Sequence, residues 1–181
     1  MKIILLLIVL ILGHGSFGQT GTPREITQKD LQKIVAEVDK EAVKFKKSLA
    51  TDYLSLDQIE FSVDTFKIQR IASKKMEIDY TTSGMNIAVD EMTKSYDKLM
   101  NKYYSKLLQL LKTEDKKILI TAQKAWLAFR DAELKLIGTM SEEKYSGGGT
   151  IQSNIATGRY SDIIIKRTVD IFDYYDNVSK D

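Results

Sequence analysis

Trp126, Arg130 and Asp131 are the residues of this chain best equipped for recognition chemistry. They stand in A-Q-K-A-W-L-A-F-R-D-A-E, residues 122–133, which holds the only Trp. On a helix, side chains four apart share a face, so Trp126 and Arg130 meet. A guanidinium there can stack on the indole, or bind a carboxylate or backbone carbonyls through directed hydrogen bonds. Trp and Arg are also residue types that dominate binding hot spots. Two roles follow: an anchor for a helix hairpin with Arg130 stacked on it, or an exposed recognition patch. The anchor is the simpler reading, and Gln123, Asp131 and Glu133 go with it as structural residues of the same motif.

The second candidate is the segment S-E-E-K-Y-S-G-G-G-T, residues 141–150. Gly147, Gly148 and Gly149 permit positive φ angles and expose backbone N–H groups that can cradle an anion or a carbonyl. The segment lacks the Lys-Ser/Thr ending of a phosphate loop and follows no apolar strand, which argues against nucleotide binding. With Glu142, Glu143, Tyr145 and Thr150 it forms a candidate partner-binding surface; its plainer reading is a crossover between helices. Glu114, Asp115, Asp131, Glu133, Glu142 and Glu143 supply carboxylates for a glycosidase-like acid/base pair. Nothing in their spacing selects two of them, so no catalytic residue is assigned.

Other chemistry is bounded by absence. The chain has no Cys and one His, His14. His14 lies in a segment that reads as an export signal: Lys2, an unbroken apolar run over residues 3–12, then Ser16-Phe17-Gly18. Cleavage is expected after Gly18. The run of about ten apolar residues falls short of the roughly 20 that span a bilayer, so no membrane span is expected after cleavage. With no Cys behind it, a lipid anchor is not expected either. The remaining chain lacks His and Cys for a triad, a thiol nucleophile or a typical zinc site, and no metal or cofactor is expected. Of 27 basic residues one, Lys2, is in the signal, which leaves 26 against 25 acidic. Nucleic-acid binders carry a basic surplus instead.

The elements that must position these residues are helices. Thr27 with Asp30 three residues on resembles a capping box, and Leu31, Ile34, Val38, Ala42 and Phe45 follow at helical spacing. A helix is expected over residues 28–50, after a disordered lead-in. Residues 57–79 fit both a strand (Ile59, Phe61, Val63) and a helix; helix is favoured because a lone strand has no partner. Residues 81–83 offer N-caps for a long helix to about residue 112. A short turn at residues 113–115 leads into a helix that buries Ile118, Leu119, Ala122, Ala125, Trp126, Phe129, Leu136 and Ile137. So short a connection makes the two helices antiparallel neighbours. A last helix, residues 152–175, turns Ile155, Ile163, Ile164, Ile171, Phe172 and Tyr175 inward. The expected fold is an all-α bundle: a long antiparallel hairpin, a C-terminal helix and an N-terminal helical extension.

These segments together resemble the LprI-like family, named for a lysozyme-inhibitor lipoprotein. The resemblance rests on Thr82, Met85-Asn86, Leu99 with Asn101 and Tyr103, Ala122-Gln123, Trp126, Arg130-Asp131, Glu133, Gly148-Gly149-Thr150 and Arg167. With the export signal over residues 1–18, it implies an extension over 19–79 and an LprI-like domain over 80–178. It also implies a non-enzymatic binding protein of the periplasm or cell surface, with a lysozyme or another envelope protein as partner. Family members carry Cys near three places where this chain has Ala88, Leu134 and Arg159 or a neighbour. Each missing bridge removes about 2–4 kcal/mol, which apolar packing at Ala88 and Leu134 is expected to replace. Two other classes compete: a scaffold that self-assembles through residues 28–79 docking in trans, and a carboxylate hydrolase acting on glycans.

Overall fold

N-terminal caps set the register of the first three helices in the computed structural model, which describes residues 22–49 and 53–179. The expected signal, residues 1–18, lies outside the described residues. Helix α1 (Gln28–Leu49) starts at Thr27, whose hydroxyl accepts from Asp30 N at 3.2 Å while the Asp30 carboxylate accepts from Thr27 N at 2.9 Å. This is the expected capping box. Arg24 adds two bonds to the same carboxylate at 2.6 and 2.8 Å, and its backbone N–H reaches the Ile78 carbonyl at 3.3 Å. The chain is therefore tied down from Arg24, before the point where order was expected. Helix α2 (Leu56–Ile78) opens on a second capping box between Ser55 and Gln58, which resolves residues 57–79 as helix. Helix α3 (Thr82–Leu110) is capped by the Thr81 hydroxyl, which accepts from Gly84 N at 3.0 Å. Then come α4 (Thr113–Met140), the single turn α5 (Glu143–Ser146) and α6 (Ile151–Val178). Among the described residues there is no strand, and the fold is all-α.

Contacts along the helices give their directions. Asn86 meets Ser153, the Tyr96 carbonyl meets Thr168, and Tyr103 meets Tyr175, so α3 and α6 run parallel as the central pair. Helix α2 is antiparallel to α3: Lys75 pairs with Glu91, Gln69 with Tyr96 and Lys106 with Asp57. Helix α1 is antiparallel to α2 through Lys74–Glu37, Arg70–Glu41 and the stacked Phe45 and Phe66 rings. The core sits where α2, α3 and α6 converge. Phe61 and Phe172 stack at 3.9 Å, with Tyr103 edge-on to them at 5.4 and 4.9 Å. Such ring pairs add about 0.5–1.5 kcal/mol each beyond the area they bury.

Helix α4 departs from this pattern. Met100 and Gln123 stand symmetrically about the Leu111-Lys112 connection and touch, the amide nitrogen 3.8 Å from the sulfur, so α3 and α4 form the expected antiparallel hairpin. Side chains hold that hairpin, however, and the nearer backbone neighbour of α4 is α6. Only Leu119, Gln123 and Ile137 of α4 are buried. Ile118, Ala122, Ala125, Phe129 and Leu136, expected inside, are exposed. The apolar residues of this helix span a wider arc than one neighbouring helix covers. Of the two apolar residues at the family's cysteine places, Ala88 is buried as expected, whereas Leu134 is exposed and packs no core. Ile155 of α6 is exposed too, contrary to expectation. No helix among the described residues is long and apolar enough to cross a membrane.

Candidate functional site

The motif residues build a joint between α4 and α6. Spacings of three and four along α4 place Gln123, Trp126 and Arg130 on the face turned to the bundle. Arg167, one of the residues that carried the resemblance, reaches across from α6. Its Nε donates to the Gln123 side-chain oxygen at 3.0 Å. The Trp126 ring receives two guanidinium groups, Arg130 at 5.6 Å and Arg167 at 5.8 Å from its centroid. The indole also packs against the aromatic core. Arg130 is oriented by Asp131, to which it donates at 2.9 and 2.7 Å. Arg130 thus does both things open to it: it stacks on the indole and binds a carboxylate, that of the adjacent Asp131. The role of Arg167 as the second guanidinium was not legible from the motif spacing, because it depends on where α6 passes α4.

The segment after α4 is built rather than loose. Ser141 N–H bonds back to the Ile137 and Gly138 carbonyls and closes α4. The single turn α5 follows, and Gly147 ends it in the left-handed region at φ 77°. Gly148 and Gly149 continue at φ 79° and 90°, conformations that L side chains adopt only with strain. Ser146 organises the turn: its hydroxyl donates to the Ser141 carbonyl at 3.0 Å and accepts from Gly148 N at 3.1 Å. Gln152 donates to the Ser146 carbonyl at 3.2 Å. The Gly147 N–H bonds to the Glu143 carbonyl at 2.9 Å. Two of the three glycine N–H groups thus serve the loop's own structure, and what the loop offers outward is mainly side chains. Tyr145 is 57% exposed, with the Lys144 ammonium 4.9 Å over its ring. Lys144 also pairs with Glu142 at 2.9 Å. Glu143 has no ion pair among the described residues and faces Gly148, where an added Cβ would sit 3.2 Å from its side chain. Sequence reasoning missed the roles of Ser146 and Gln152; a Ser directly before a Gly run is the signal that points to them.

Recesses on the described surface include one on either side of the central pair. The larger, about 450 Å³, lies between α2 and α3, away from the joint and the loop. Four lysines line it with Asp64 and Glu91: Lys67 pairs with Asp39, Lys75 with Glu91 and Lys102 with Glu60 and Asp64, and Lys98 is the fourth. The smaller, about 300 Å³, lies between the end of α4 and the first half of α6 and is lined by Glu133, Arg159 and Asp162 with apolar neighbours. Of the other candidate acids, Glu114 pairs with Lys117, Asp131 with Arg130 and Glu142 with Lys144. No group of three or more His, Cys, Asp or Glu among the described residues is placed to hold a metal ion.

Fold and joint define the class: an all-α bundle in which a Trp flanked by two Arg fixes an outer helix against the central pair. The family model described as lysozyme inhibitor LprI matches residues 72–170, just over half of the chain, and the chain belongs to that family. The match begins within α2, includes α3, α4 and α5, and ends within α6. No curated protein and no solved structure shows significant similarity to the chain.

Proposed function

We propose that this chain is an exported, non-enzymatic protein that binds and inhibits a lysozyme through the segment joining α4 to α6. The observation that carries the reading is the family match, which covers α4, the segment itself and α6 as far as residue 170. Geometry supports it. The Trp126 joint holds α4 on α6, so the segment between them is preorganised, and preorganisation lowers the ordering cost of binding. Tyr145 supplies a large, stiff contact surface. Glu142 and Glu143 supply negative charge against lysozymes, which are generally basic, and this raises the association rate at low salt. Gly147, Gly148 and Gly149 let the backbone approach a partner closely, and Thr150 closes the surface. In this reading residues 1–18 are the cleaved signal, residues 19–79 form an extension packed on a binding domain of residues 80–178, and the protein acts in the periplasm or outside the cell.

The test is inhibition. The secreted form, residues 19–181, is mixed with c-type, g-type and i-type lysozymes and muramidase activity is followed. Loss of activity of at least one class is expected, with a Tyr145→Ala, Glu143→Gln double variant weaker by tenfold or more. Full activity of all three classes at micromolar concentrations of the protein overturns the reading.

A further inference from the structure

We propose that the outer face of α1 is a membrane-contact surface, on which a row of lysines meets the headgroups of an anionic phospholipid bilayer. Helix α1 is two-sided. Ile34, Val38 and Ala42 are buried, and the helix packs on α2. Its apolar face is therefore occupied inside the chain's own bundle rather than free to dock in trans. Helical spacing sets Lys29, Lys33, Lys40, Lys44 and Lys47 on the opposite arc, and all five are exposed. The row runs about 27 Å at 1.5 Å per residue.

No acid stands on that arc. The acids of α1 are held elsewhere: Asp30 by Arg24, and Glu37, Asp39 and Glu41 by Lys74, Lys67 and Arg70. A face that serves solubility alone mixes both signs. Here α2 takes the carboxylates and leaves the ammonium groups outward. Among the described residues only Lys33 of the row has an ion pair, at 3.9 Å to a Glu37 that Lys74 also holds at 3.0 Å. With 26 basic against 25 acidic residues outside the expected signal, the row is a local concentration of charge and not a general excess.

The composition of the row selects a lipid surface over a nucleic acid. It holds no Arg and no aromatic ring, the groups that read and stack on bases. Lysines are point charges on flexible stems, and a straight row of them is complementary to a plane of phosphate groups. Apolar side chains join the charges at one end. Val43 is 57% exposed, and in the connection into α2 Tyr53 is fully and Leu56 86% exposed. Helices α1 and α2 are antiparallel, so these residues lie at the same end as Lys44 and Lys47. Tyr and aliphatic side chains beside lysines suit the headgroup layer of a bilayer. The row and the α4 to α6 segment are on different helices, so the proposal does not rest on lysozyme binding.

Flotation of residues 19–181 with lipid vesicles tests this. Vesicles of phosphatidylglycerol and phosphatidylcholine in about equal parts should carry the protein, vesicles of phosphatidylcholine alone should not, and about 0.5 M salt should release it. Lys40→Gln, Lys44→Gln and Lys47→Gln together should lower the partition coefficient about a hundredfold. All three sites are exposed, so helical content by circular dichroism should persist. Lys124→Gln, Lys135→Gln and Lys166→Gln together remove the same charge from exposed sites on α4 and α6, and should lower it far less. No flotation with the anionic vesicles, equal flotation with the neutral ones, or equal losses from the two triple variants overturns the proposal. So does retention by double-stranded DNA or soluble polyphosphate at a salt concentration that strips the protein from the anionic vesicles, because the row then belongs to a polymer.

Discussion

Trp126 and Arg130, four residues apart, carry unequal shares of the joint they build. The indole touches the core and two guanidinium groups at once. Complete burial would make its removal cost about 3–5 kcal/mol; half-buried, Trp126→Ala should cost about 2–3 kcal/mol, read from urea unfolding. Arg130→Ala removes one cation–π contact, and its ion pair goes to the exposed Asp131. That loss should stay below about 1 kcal/mol. A larger loss from Arg130 than from Trp126 would contradict the joint as described. Tyr103 presents the opposite case. Its ring is fully buried in the core, yet its hydroxyl has no hydrogen-bond partner among the described residues. Burial raises its pKa far above the ordinary tyrosine range. Tyr103→Phe should therefore leave stability unchanged or raise it by about 1 kcal/mol, since an unpartnered buried hydroxyl costs about that much.

The turn between α4 and α6 depends on three successive glycines with positive φ. Replacing any one by Ala should cost roughly 1–2 kcal/mol of backbone strain. Gly148→Ala should cost most, because its new Cβ also crowds Glu143 at 3.2 Å. Melting temperatures of the three single variants check the order. How much of this was legible beforehand differs by element. The start of α1 was readable because Thr27 and Asp30 are local partners three residues apart, and the same logic at Ser55 and Gln58 would have settled α2. The inward face of α4 was not readable. Its apolar residues fall both on the strip that meets α6 and on the exposed flank, and helical periodicity cannot say which side finds a neighbour. The Gly triplet could be seen as a turn, but the use of its N–H groups depends on Ser146 and the one-turn α5. The Trp126 and Arg130 pair was readable as a stack because both sit on one helix; Arg167 comes from 37 residues further along, where only the fold brings it close.

The whole molecule joins its N-terminal helices to the family domain through charged rims around an aromatic core. Lys106 and Tyr175 hold the Asp57 carboxyl below its ordinary value of 3.8, and Arg70 does the same for Glu41 from 4.5. Lys102 lowers Glu60 and Lys74 lowers Glu37 in the same way. Carboxyls with depressed folded values contribute stability that is fully present above their unfolded pKa and is lost as pH falls through the folded value. The urea midpoint should therefore hold from neutral pH down to about 5 and drop below about 4. Asp57→Asn should show a smaller drop, and a midpoint that rises on acidification would contradict these assignments. The same rims tie α1 and the first part of α2 to the residues that the family model matches, 72–170, so the chain should melt in one transition. The central claim is that this bundle presents the α4 to α6 segment to a lysozyme. Isothermal titration of residues 19–181 into c-type, g-type and i-type lysozymes tests it most directly. The account predicts saturable binding of at least one class, weakened tenfold or more by Tyr145→Ala with Glu143→Gln. No binding of any class, or binding that this double variant leaves unchanged, contradicts it.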